Sequence, residues 1–313
     1  MSKIKKAIIP VAGFATRFLP VAKAFSKALL PIIDKPVLQF LVEDAVAAGI
    51  EQIVFVVSPD QTDIQKYFAS DLALEKKLAE KGELDLLAEI QKISKLAKFN
   101  FVIQKEMLGD GHAILQAREK IGDEAFLVLF GDDLIFGQPS RQLVEAYTKK
   151  DATVVGLQKV AKLEVDKYGI VAIQEDSTIT QFVEKPRIEN APSDLAIVGK
   201  YICTSRIFEI LSDNPNASGE IRLIDALAIL LKEEKIFGEI LTGKRFDCGS
   251  KAGWLAANNF VAQQHPEILG GASEFKIIFC PLFQASRFLL NSRGGGGQNG
   301  RATRPGGGSE AWW

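Results

Sequence analysis

The sequence is poor in the residues that most often move protons or attack substrates. It holds two histidines and three cysteines in 313 residues, with no Ser–His–Asp or Cys–His arrangement. No Cys/His cluster has metal-ligand spacing. Cys203, Cys248 and Cys280 are odd in number and far apart, which excludes a disulfide framework and points to a reducing compartment. Net charge is missing as well. Lys plus Arg total 38 against 39 for Asp plus Glu, so a life spent on non-specific nucleic-acid or membrane-surface attraction is excluded. Any anionic ligand must meet locally placed bases. No apolar run approaches the ~18 residues of a membrane span. The apolar stretch Ala7–Phe14 is too short and poorly flanked for a signal peptide and reads as a first buried strand. The expected location is cytoplasmic.

What is present is core material: 47% hydrophobic and 25% charged residues, as in soluble globular domains. Apolar runs of strand length alternate with amphipathic helical segments. Lys6–Ala12, Ile53–Val57, Phe99–Ile103 and Ala125–Phe130 read as buried strands. Val37–Ala48 and Ala113–Lys120 read as helices. This rhythm predicts an α/β fold, a Rossmann-like, mixed and mostly parallel sheet with helices on both faces. Residues 71–98, charged and broken at Gly82, predict a two-helix insert whose plain reading is a solvated face. Closely spaced short strands follow at Ala152–Gln158, Ile170–Gln174, Ile179–Val183 and Ala196–Ile202, suggesting hairpins. Leu223–Glu233 returns to helix. The main domain is expected over 1–270. Residues 271–313 form an atypical tail, and from about 291 their glycine-rich composition cannot build a packed element.

Several segments carry possible chemistry, and each also has an ordinary structural reading. Ala12-Gly13-Phe14-Ala15-Thr16-Arg17 follows the first strand, where a small-residue turn exposes backbone N–H groups at a ligand-binding sheet edge; a plain strand-to-helix turn fits equally. Arg17 offers a bidentate phosphate donor. Lys23 and Lys27 are point charges nearby, or surface lysines. Asp132-Asp133 ends another strand, suited to a divalent cation or to a turn; Asp247 is a second candidate acid. Glu184-Lys185-Pro186 ends a strand and reads as a solvated loop or as a cation offered to an anion. Gln104, beside Gly109-Asp110-Gly111-His112, has an amide able to read a base edge. His112 reads as a cap or packing residue.

The ordered series is more specific than its parts. It opens with Gly13-x-Ala15-Thr16-Arg17-Phe18-Leu19-Pro20, Lys27 before Leu30-Pro31-Ile32, and Asp34-Lys35-Pro36. Gly109-x-Gly111-His112-Ala113, Gly131-Asp132-Asp133 and Val183-Glu184-Lys185-Pro186 follow. Ala191-Pro192-Ser193, Leu195–Tyr201, Gly219-Glu220-Ile221-x-Leu223-x-Asp225-Ala226 and Asp247-Cys248-Gly249 complete it. From about Lys5 to Lys276 the chain resembles the bacterial UTP–glucose-1-phosphate uridylyltransferases. The resemblance implies a nucleotidyltransferase type A fold, with residues 152–250 on the sugar-phosphate side. It implies transfer of UMP from UTP to glucose 1-phosphate, giving UDP-glucose and pyrophosphate. By the same resemblance Ala12, Gly13, Gln104, Gly109 and Gly111 serve the nucleotide, and Asp132 and Asp247 bind Mg²⁺. Arg17, Lys27 and Lys185 are the catalytic cations. Asp133, Gly169, Glu184 and Lys185 face the sugar phosphate, and a homo-oligomer, dimer or tetramer, is implied.

The implied chemistry fits the scarcity of histidine. A phosphate oxygen of glucose 1-phosphate is already ionised near neutral pH, so the enzyme must bring polyanions together and stabilise charge rather than abstract a proton. Four departures from the family pattern stand out. Ala15 replaces a second glycine, which is tolerable where φ stays negative; Ala28 replaces a glutamate; Ala22 replaces a threonine; and the tail after Lys276 matches nothing in the family. They leave two alternatives open: another nucleotide or sugar, such as thymidylyl transfer, and a weakened nucleotide-sugar-binding regulator.

Overall fold

Alternating burial along the first strands shows how the sequence makes its sheet. On β1 (Lys6–Pro10) Ala7 and Ile9 join one apolar cluster while Ile8 joins another. Phe55 and Val54 part in the same way, as do Leu127 and Val128. Successive side chains of a strand point to opposite faces, so runs apolar at every position need cover on both sides. The computed structural model describes residues 4–213 and 219–265, and a compact unit extends to Gln264. The expected tail over 271–313 lies outside the described residues.

The further strands are β2 (Pro31–Ile32), β3 (Lys35–Pro36), β4 (Gln52–Val57), β5 (Lys98–Ile103), β6 (Phe126–Leu129), β7 (Asp133–Phe136), β8 (Val154–Lys159), β9 (Gly169–Ile173), β10 (Ile179–Glu184), β11 (Leu195–Cys203), β12 (Phe237–Ile240) and β13 (Lys244–Asp247). The main sheet runs β10-β9-β11-β6-β1-β4-β5, with β8 joined to β11 and β12 to β8. One half is parallel, β6, β1, β4 and β5 lying side by side. The long strand β11 then runs antiparallel to β6, β8 and β9. The sheet is therefore mixed: parallel where the strand–helix rhythm predicted it, and antiparallel where the closely spaced short strands suggested hairpins.

Helices α1 (Val37–Ala47), α2 (Asp63–Phe68), α3 (Leu72–Lys81), α4 (Leu84–Ile93), α5 (Asp110–Gln116), α6 (Arg118–Ile121), α7 (Pro139–Lys150), α8 (Arg206–Asp213), α9 (Leu223–Leu230) and α10 (Lys251–Gln264) complete the unit. Helix α1 buries Val37, Leu38, Leu41, Val42 and Ala45, the spacing of one helical face. The opposite cluster takes Ala113 and Ile114 from α5, Phe208 from α8 and Leu227 from α9. Helices α3 and α4 bury no residue and are separated at Gly82, whose φ of 75° ends α3.

Two features differ from the sequence reading. The expected helix Ala113–Lys120 starts at Asp110 and is divided at Ala117 into α5 and α6. The acid pair does not simply end a strand, because Asp133 begins β7, which pairs antiparallel with β13. Both strands have only four residues, and Lys244-Arg245-Phe246-Asp247 has little apolar content, so periodicity gave no sign of this ribbon.

Candidate active site

The β7–β13 ribbon brings distant carboxylates together. Its register places Asp247 opposite Asp133, and the backbone N–H of Cys248 donates to the Asp132 carbonyl at 2.8 Å. Gly249 then turns at the point where the two candidate metal ligands converge. A Cβ there would stand 2.5 Å from Asp132 Oδ2 and 2.9 Å from Asp247 Oδ1, so glycine is needed to let both oxygens approach. Burial, then the neighbouring Asp132 charge, raises the Asp247 carboxyl above its ordinary range. A partly buried Asp132 and an exposed Asp247 sharing one point suit a small hard cation. No group of three or more His, Cys, Asp or Glu able to hold a metal occurs among the described residues. Mg²⁺ does not need one, because it is commonly held by one or two carboxylates plus substrate phosphates and water. The residues present fit the ion.

Lys27 reaches the same place from the other side of the cleft. Its Nζ lies 2.5 Å from Asp132 Oδ2. Arg17, on the first loop, donates from Nη1 to the Gly249 carbonyl at 3.4 Å, and its charge opposes the rise of the Asp247 carboxyl. Residues 17, 27, 132 and 247 thus form one charged centre from four separate segments.

Two cavities open from this centre. One, of about 340 Å³, is lined by Ala12, Gly13, Lys27, Gln104, Gly109 and Asp132, among others. The second, of about 310 Å³, takes in Arg17, Asp133, Gly169, Glu184, Lys185 and Asp247. Asp132 borders both. Every predicted site residue therefore borders a cavity except Gly111. A Cβ on Gly111 would meet Leu211 Cδ2 at 2.6 Å and the Ile221 carbonyl at 2.8 Å, so close packing accounts for this glycine.

In the first cavity Gln104 is 3% exposed. Its Nε2 donates to the Gly109 carbonyl at 3.1 Å and lies 3.1 Å from His112 Nδ1. A carbonyl can only accept, so the Gly109 bond sets the amide orientation, and the second N–H faces His112 Nδ1, which accepts it when that nitrogen is unprotonated. Oε1 is the atom left to receive a donor from a ligand. Phe14, 75% exposed, and Ala28 also line this cavity.

In the second cavity the register pairs Glu184 with Gly169. A Cβ on Gly169 would lie 3.2 Å from Glu184 Oε2 and 2.7 Å from Ile224 Cδ1. Lys185 Nζ stands 3.5 Å from Glu184 Oε1 and remains largely exposed, free to meet an anion. Its φ is 44°, a strained value for lysine and one of the kind that clusters at functional sites. Asp133 is differently placed from the other acids. Arg245 grips both its oxygens, at 2.8 and 2.7 Å, and the Gly199 N–H adds a bond at 3.0 Å. Its lone pairs hold the ribbon to β11, with Tyr168 beneath the Arg245 guanidinium.

Sequence reasoning passed over Arg245, Tyr201 and Arg222, which also border the second cavity. It also missed Lys200, fully buried within β11, whose Nζ has no hydrogen-bond partner among the described residues. The only available signal was a lysine inside an otherwise apolar strand. The first loop corrects an expectation: Ala15 has φ 52°, not a negative value. The turn that leads from β1 into Arg17 demands the left-handed conformation whichever residue fills it.

Comparison with known proteins bears on the whole unit. The nucleotidyl transferase family profile matches residues 6–264. The chain is 42% identical over 275 residues to the UTP–glucose-1-phosphate uridylyltransferase of Bacillus subtilis (strain 168), covering 86% of this chain and 94% of that one. A UDP-glucose pyrophosphorylase complexed with UDP-glucose superposes with TM-score 0.75 and 38% identity, covering 84% of this chain and 100% of that one. A UTP-bound enzyme of the same kind from Acinetobacter baumannii gives 0.80 at 33% identity, covering 93% and 100%.

Proposed function

The chain belongs to the nucleotidyl transferase family, and from that premise we propose that it transfers UMP from UTP to glucose 1-phosphate, releasing pyrophosphate. The observation that carries this reading is the pair of cavities meeting at Asp132, one built around the Gln104 amide and the other around Glu184 and Lys185. Uracil presents an N3–H donor, which Gln104 Oε1 accepts. Ala12 and Gly13 supply the wall against which the base lies. Lys27 and Arg17 face the triphosphate, and Lys185 with Glu184 faces the sugar phosphate.

In the reaction a phosphate oxygen of glucose 1-phosphate forms a bond to the α-phosphorus of UTP. The bond to the bridging oxygen of pyrophosphate breaks, and pyrophosphate leaves with the electron pair. No proton transfer is needed at the nucleophile. The protein holds two polyanions in line, and its cations offset the charge that would drive them apart. Mg²⁺ held by Asp132 and Asp247 would neutralise phosphate charge during the transfer. In this structure Lys27 meets Asp132 directly, so binding exchanges a carboxylate partner for phosphate oxygens.

The test is pyrophosphate release with glucose 1-phosphate and each of UTP, dTTP, CTP, ATP and GTP, together with identification of the sugar nucleotide formed. UTP is expected to lead. Faster turnover with dTTP would reassign the nucleotide, and binding without turnover for every pair would establish the regulator.

A further inference from the structure

Three residues border both cavities: Asp110, Phe130 and Asp132. Asp132 belongs to the charged centre and Phe130 is apolar, which leaves Asp110 without a function in the reaction as described. Its carboxylate is held by one oxygen. Oδ1 accepts from the Gly111 N–H at 2.7 Å and from the Leu223 N–H at 3.0 Å, the second bond tying the start of α5 to the start of α9. Oδ2 accepts no hydrogen bond from another residue among the described residues. Burial is the largest influence on this group and raises its carboxyl above the ordinary range, with the Glu184 charge adding to the rise. A carboxylate so placed repels phosphate, so what it takes from a ligand must be a hydrogen-bond donor. Away from the base, the donors on a nucleotide and a sugar phosphate are hydroxyls.

We propose that Asp110 Oδ2 is a sugar-hydroxyl acceptor at the junction of the two cavities, a binding and specificity-determining residue for the transfer. The proposal rests on the substrate reading given above. Two sugars bring the same chemistry to the junction: the ribose of the nucleotide, reached from the side of Gln104 and Gly109, and the hexose, reached from the side of Glu184. A hydroxyl donating to a carboxylate is a charge-assisted bond, stronger than a neutral one.

Asp110→Asn is the informative substitution. It keeps the oxygen that receives the two backbone N–H groups and converts the free acceptor into a donor. Asp110→Leu removes both oxygens and guards against an amide that still engages the hydroxyl. Each variant is compared with wild type on UTP, 2′-deoxy-UTP and 3′-deoxy-UTP with glucose 1-phosphate. The comparison is repeated with UTP on the 2-, 3-, 4- and 6-deoxy analogues of glucose 1-phosphate, with a melting curve for each protein. The expected result is a loss in kcat/KM on the order of 10- to 100-fold with the full substrates. That loss disappears with the one analogue lacking the accepted hydroxyl, and which analogue it is identifies the sugar. An equal loss on every substrate would assign Asp110 to the α5–α9 junction alone and overturn the proposal, as would two variants indistinguishable from wild type. A wild-type protein that makes no UDP-glucose would instead refute the substrate reading.

Discussion

Gly249→Ala is the most direct probe of the proposed cation site, because the structure gives the displacement it demands. The new methyl carbon would stand 2.5 Å from Asp132 Oδ2 and 2.9 Å from Asp247 Oδ1. A nonbonded carbon keeps roughly 3.3 Å or more from oxygen, so the Asp132 oxygen must retreat by nearly 1 Å. Gly249 needs no left-handed conformation, and alanine imposes no backbone strain of its own. The perturbation falls on the spacing of two carboxylates. Mg²⁺ demands near-ideal octahedral geometry at about 2.0–2.1 Å, and misplacement by about 1 Å costs on the order of 100-fold in an aligned reaction. The assay is pyrophosphate release across a Mg²⁺ titration, with a thermal melt in parallel. Gly249→Ala is expected to shift the Mg²⁺ midpoint upward by about 10- to 100-fold while keeping a cooperative melt. A variant with the wild-type midpoint and rate would refute the convergence of Asp132 and Asp247 on one ion.

Three further outcomes are expected. Lys185→Ala should raise KM for glucose 1-phosphate and Lys27→Ala should raise KM for UTP, because they border different cavities; initial rates with each substrate varied in turn check this, and a shared effect on one substrate contradicts it. Ala15→Gly relieves a left-handed alanine that costs about 1–2 kcal/mol, offset by about 0.4–1 kcal/mol of glycine entropy in the unfolded chain. The net gain of about 1 kcal/mol should raise Tm by about 2–4 °C, and an unchanged or lower Tm refutes it. Lys200, pushed below its ordinary value chiefly by burial, with Asp133 and Asp44 opposing, binds fewer protons folded than unfolded in the window below 10.5. Its contribution to stability therefore rises with pH through that window, and Lys200→Met should flatten the rise in urea unfolding free energy as pH climbs toward 10.5. An identical pH slope in the variant would show that Lys200 is not the group responsible.

Much of this molecule could be read from one dimension. The parallel half of the sheet followed from apolar runs and helical spacing, since a strand buried on both faces must be apolar throughout. Gly82 marked the turn of the insert because only glycine readily adopts the φ it needs. The small-residue loop after β1 could be suspected as a binding turn, but its residues fitted a plain turn equally, and Arg17 and Lys27 stood apart from other cations only through the family resemblance. Tertiary structure decided what depends on pairing across the chain. Asp247 joins Asp132 only through the ribbon β7–β13, whose second strand, Lys244-Arg245-Phe246-Asp247, is too short and charged to show a period. Asp133 and Asp132 are chemically identical neighbours, and a bidentate Arg245 112 residues away determines that one holds the fold while the other faces the cleft. Gln104 could be suspected of reading a base, but the Gly109 carbonyl chose which end of its amide remains available. Composition and spacing report what a segment can bury; which oxygen stays free is settled by the partners that folding brings to it.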